Sequence, residues 1–111
     1  MRDTTANRQL LNRLEGLCQG TPYKMHIWEA EGFITPHLSI REDAPEYTPA
    51  FYLYDDTGYC AGFRLGVQTT SYGVLESGAA MAAAQGLMAA AKLAEALGAE
   101  LRATGHDVRR M

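Results

Sequence analysis

The stretch Tyr23-Lys-Met-His-Ile-Trp-Glu-Ala-Glu-Gly-Phe-Ile-Thr-Pro-His-Leu-Ser-Ile-Arg41 decides the fold. In its first half Tyr23, Met25 and Ile27 alternate with Lys24, His26 and Trp28. In its second half Ile34, Pro36, Leu38 and Ile40 alternate with Thr35, His37, Ser39 and Arg41. A period of two residues predicts half-buried strands over 23–30 and 33–41, each with one covered face. Glu31-Gly32 between them suits a two-residue hairpin turn. Turn length fixes register, so His26 is expected opposite His37 and Trp28 opposite Thr35.

The same alternation recurs downstream. Residues 47–54 and 59–69 read as two more strands, joined by Asp56-Thr57-Gly58 as a three-residue hairpin. That turn would place Tyr54 opposite Cys60 and Tyr52 opposite Gly62. Residues 42–46 form a looser turn. Pro36 and Pro49 disturb the pattern, because proline cannot donate to a ladder. Either the strands are bulged there, or the sheet is two loosely joined hairpins.

Helices flank these strands. Leu10, Leu11, Leu14, Leu17 and Cys18 make an apolar stripe at helical spacing, predicting a helix over 5–18 stopped by Gly20-Thr21-Pro22. Twelve alanines between 79 and 103 predict a long helix over 78–103, with Ser77 as its cap. Gly105 is the expected stop, and 105–111 read as a frayed tail. Gly86, Ala90, Ala94 and Gly98 recur every four residues, a smooth stripe suited to close backbone packing or to a dimer contact. The expected architecture is α+β in a single domain over 1–111. It has an N-terminal helix, a four-stranded antiparallel meander and a long Ala-rich C-terminal helix, with both helices on one sheet face.

Composition bounds the function. The chain has 111 residues and a net charge of −3, with 47% hydrophobic and 21% charged residues, ordinary values for one globular domain. No apolar run is long enough to span a membrane, and the polar N-terminus has no signal core. Two cysteines, Cys18 and Cys60, make neither a disulfide framework nor a zinc set, which points to a reducing cytoplasm. Acid is concentrated in residues 26–60, where Glu29, Glu31, Glu42, Asp43, Glu46, Asp55 and Asp56 face Arg41 alone, a balance of −6. That balance argues against nucleic acid, whose phosphates need a basic frame. It favours an acidic surface for a basic protein partner, with Glu42, Asp43, Glu46, Asp55 and Asp56 as its residues.

The uncovered sheet face is the second candidate surface. It should present His26, Trp28, His37, Tyr52, Tyr54 and Arg64, together with Arg41, Cys60 and Gln68, over a furrow at Gly62 and Gly66. Trp, Tyr and Arg are the residue types that anchor protein interfaces.

Catalytic and metal motifs fail one by one. His26 and His37 supply two metal ligands but lack a third, so no metal or cofactor is expected. Cys60 as a nucleophile needs an adjacent base, and His37 comes near it only if the third strand does not intervene. Asp56-Thr57-Gly58 matches the core of aspartic proteases but is explained by its turn. Gly73 and Gly78 have phosphate-loop spacing, yet Ala79-Ala80 stands where Lys and Ser or Thr belong. The resulting expectation is a small, acidic, non-enzymatic inhibitor or adaptor that occupies a basic surface on a larger protein. Phage and mobile-element proteins that block host defence have this character. The alternatives are a homodimeric structural or chaperone-like domain, and a small enzyme or ligand binder on the open face.

Overall fold

The computed structural model describes residues 1–57 and 62–110, with the Arg110 side chain left aside. Helix α1 spans Thr5–Cys18. The Thr4 hydroxyl accepts the Asn7 N–H at 3.1 Å and fixes its start. Leu10, Leu11, Leu14 and Cys18 are buried, while Leu17 faces solvent. Gly20 at φ +76° reverses the chain beyond its end.

Strands β1 (Tyr23–Ala30) and β2 (Phe33–Ile40) form the expected hairpin. Glu31 at φ +43° and Gly32 at φ +84° give the left-handed turn that matches strand twist. His26 pairs with His37 and Trp28 with Thr35, as the turn length requires. Strands β3 (Phe51–Asp55) and β4 (Gly62–Val67) form a second antiparallel hairpin. Helix α2 covers Ser77–Ala103, and β5 (Asp107–Arg110) pairs parallel to β4.

The four-stranded meander is not what forms. The strands make a two-stranded sheet, β1-β2, and a three-stranded sheet, β3-β4-β5. The reason lies on the free edge of β2. The Ile34 N–H donates to the Met1 carbonyl at 2.9 Å, so Ile34 directs its backbone groups away from β1. By strand alternation Pro36 does the same, at a position where its missing N–H costs no ladder bond to β1. On the other side, the Gln68 N–H donates to the Ala50 carbonyl at 2.9 Å. Phe51 and Leu53 therefore direct their backbone groups toward β2. Yet β2 and β3 lie side by side without a shared ladder among the described residues. Of the two readings allowed by Pro36 and Pro49, the observed one is the pair of loosely joined hairpins.

Other expectations are corrected. Residues 107–110 are a strand, not a frayed tail, and Val108 packs against the core. Glu76, not Ser77, caps α2, its carboxylate accepting the N–H groups of Ala79 at 2.6 Å and Gly78 at 3.1 Å. Tyr47 sits at φ +67° outside β3, which starts only at Phe51. Tyr54 lies opposite Arg64 and Tyr52 opposite Gly66, a register four residues longer than the short turn implied. An even slip leaves every side chain on its expected face. Cys60, with Gly58, Tyr59 and Ala61, lies outside the described residues.

One core joins both sheets to both helices. Helix α1 packs on β1, and α2 packs on α1, β4 and β5, so the helices do not share one continuous sheet face. Tyr23 bridges the hairpins from inside. Its hydroxyl donates to the Pro49 carbonyl at 2.6 Å, and its ring meets Phe51 edge-on at 5.4 Å. Burial pushes this hydroxyl up to about 12. The small-residue stripe of α2 is used internally. A Cβ on Gly86 would stand 2.8 Å from the Tyr47 carbonyl oxygen, Ala90 is fully buried, Ala94 packs on the core, and Gly98 lies against Leu65.

Candidate functional site

The two hairpins turn their polar and aromatic positions to the side away from the core. Strand alternation puts His26, Trp28, His37, Tyr52, Tyr54 and Arg64 on that side, and all are exposed or half-buried. The Trp28 and His37 rings stack with centroids 4.7 Å apart, and the Tyr52 and Tyr54 rings stack at 5.9 Å. Trp28 is 59% exposed and Tyr54 48%. Phe33, at 54%, belongs to the same face but was not singled out in the sequence, because it begins its strand beside the turn. Its spacing from Thr35 and His37 was the available signal.

Hydrogen bonds fix parts of this face. His26 Nε2 and Ser39 Oγ lie 3.0 Å apart, and the Tyr52 hydroxyl donates to Gln68 Oε1 at 2.8 Å. The His26 and His37 rings are 6.4 Å apart, tilted and not converging on a common point. Between the hairpins runs a cleft of about 280 Å³, lined by His37–Ile40 on one bank and Ala50–Tyr54 on the other. His37 lines the β2 bank and Tyr52 and Tyr54 the β3 bank, while Trp28 stacks on His37 without lining the cleft itself. The furrow expected at Gly62 is filled, because the Asp107 carbonyl approaches to 2.7 Å of where a Cβ would stand.

No protein family, no curated protein and no solved structure matches this chain.

The acidic set divides. Asp55 turns inward and accepts the Met1 ammonium at 2.5 Å in a partly buried contact. Burial would raise its carboxyl, but the Met1 ammonium and two hydrogen bonds from Thr57 outweigh it and hold the carboxyl below its usual range. Asp56 is in an ion pair with Arg64, a charge contact rather than an aligned hydrogen bond. Glu29 is held by Arg8 at 2.5 Å. Of the acids in residues 26–60, those exposed and outside these ion pairs are Glu31 in the β1–β2 turn and Glu42, Asp43 and Glu46, the last three in the loop that leads from β2 to β3 at the Ile40–Ala50 end of the cleft. Asp55 and Asp56 do structural work instead. Cys18 is buried in the core, and burial pushes its thiol up to about 11, far from a reactive thiolate.

Proposed function

We propose that the chain is a non-enzymatic protein-binding module, an inhibitor or adaptor, that holds an arginine-bearing surface of a larger partner. The observation that carries this reading is the pair of exposed ring stacks, Trp28 on His37 and Tyr52 on Tyr54, standing on either side of one cleft. Rigid aromatic rings supply contact area with little loss of side-chain freedom, and they accept guanidinium groups on their faces. Glu42, Asp43 and Glu46 add carboxylates at one end of the cleft, where arginine can pair with them in bidentate fashion. Aromatic rings then supply most of the binding energy, and the acidic loop supplies steering and salt dependence.

The experiment is affinity capture from host lysate with three proteins: the wild type, the double variant W28S/Y54S and the triple variant E42K/D43K/E46K. A stoichiometric partner held by the wild type, lost by the first variant and weakened by the second supports the reading. A partner retained equally by all three overturns it.

A further inference from the structure

The N-terminal half of α2 lies outside the core and meets the rest of the chain on one side, where Gly86 faces Tyr47. Its buried positions begin only at Ala90, so residues 77–89 contain none. Those residues rise about 20 Å along the helix axis. No charged side chain occurs from Ser77 to Ala91. On the face opposite Ala90 and Leu97, Met81 is 64% exposed and Met88 59%. A charge-free helical half is ordinarily buried on all sides. The molecule also carries more surface than its mass requires. Its accessible area is 7105 Å², where a compact chain of 12.1 kDa should show about 6,000 Å². Its radius of gyration is 15.1 Å, against about 13 Å for a compact chain of this length. The surplus, about 1,100 Å², exceeds the roughly 800 Å² per partner that a standard interface buries.

We infer that this outer face of α2 is covered by a second copy of the chain, in an antiparallel two-fold pair of helices. Met81 and Met88 are spaced symmetrically about Ala84 and Gln85. A two-fold axis at that point sets Met81 of each copy on Met88 of the other, which is the self-complementarity that an isologous contact demands. Ala84 between them lets the helices approach. The same register brings Lys92 of one copy beside Ser77 and next to Glu76 of the other, placing opposite charges at each end of the apolar patch. This contact lies on the side of α2 away from the stripe at Gly86 and Ala90, and it leaves the aromatic sheet face free.

Sedimentation equilibrium on the full chain tests it, with circular dichroism to confirm folding. The wild type should sediment at twice 12.1 kDa. M81E/M88E sets like charges against each other across the axis and should sediment as a folded monomer. M81E/M88K sets opposite charges against each other only in the antiparallel register and should restore the dimer. A monomeric wild type overturns the inference, and so does a folded M81E/M88E that remains dimeric.

Discussion

The amino group of Met1 donates to Asp55 Oδ2 at 2.5 Å and also to the Ile34 carbonyl at 3.1 Å, tying the edge of β2 to the end of β3. This contact closes one end of the seam between the two hairpins, and Tyr23 bonded to Pro49 bridges them elsewhere. The contact is partly buried, so the loss of either group leaves the other without its partner in a site that water reaches only in part. D55N should therefore destabilise the fold by about 1–3 kcal/mol in urea denaturation, between the cost of breaking an exposed pair and that of a fully buried one. D3N, which removes only an exposed partner of Arg8, should leave the urea midpoint almost unchanged.

Acid should act through the same carboxylate. The folded Asp55 carboxyl lies below its ordinary value, so the folded state binds this proton less readily than the unfolded chain does. Its contribution is present above the unfolded range, near about pH 4, and is lost as pH falls through the depressed folded value. Urea midpoints measured at pH 6 and pH 3 should drop in the wild type. The drop should be smaller in D55N, which has no such carboxylate to protonate.

Two helical glycines should respond oppositely to alanine. G86A drives a methyl group toward the Tyr47 carbonyl oxygen, 2.8 Å from the Cβ position, and should destabilise by about 1–3 kcal/mol. Gly16 in α1 has open space around it, so G16A should stabilise by about 0.5–1 kcal/mol through helix propensity. Thermal melts of the two variants against the wild type read the signs directly.

The C-terminal strand should matter to stability although it is short. A chain ending at His106 loses Val108 from the core and exposes the β4 edge from Gly62 to Leu65. Its melting temperature should fall by several degrees. An unchanged melt would mean that β5 contributes nothing to the fold.

Much of this was legible in the sequence, and the misses have physical causes. Helix α1 and the β1-β2 hairpin follow from period, the Gly20-Thr21-Pro22 stop and turn length, all local signals. The faces of Tyr52, Tyr54 and Arg64 were legible because parity survives an even slip in register. The register itself was not, because Asp56-Thr57-Gly58 is equally good as a short turn and as part of a longer loop. The split between the sheets was signalled by Pro36, but which of its two solutions forms depends on Met1 occupying the edge of β2, a long-range contact. Asp55 shares its inward side with Phe51 and Leu53 by strand alternation, but its partner, the Met1 ammonium, is another long-range contact. Charge counting treats Asp55 and Glu42 alike, and only the fold separates a partly buried ion pair from an exposed loop. The strand at Asp107–Arg110 was hidden because four residues carry too little pattern of their own.

Site-specific photo-crosslinking in the native host tests the central claim most directly. A photoreactive phenylalanine analogue is placed at Tyr54 in one protein, at Trp28 in a second, and at Asn12 on the exposed side of α1 in a third. The aromatic-face account predicts the same partner protein joined at Tyr54 and Trp28, diminished when Glu42, Asp43 and Glu46 are reversed, and absent at Asn12. Crosslinking at Asn12 with none at Tyr54 or Trp28 would contradict it.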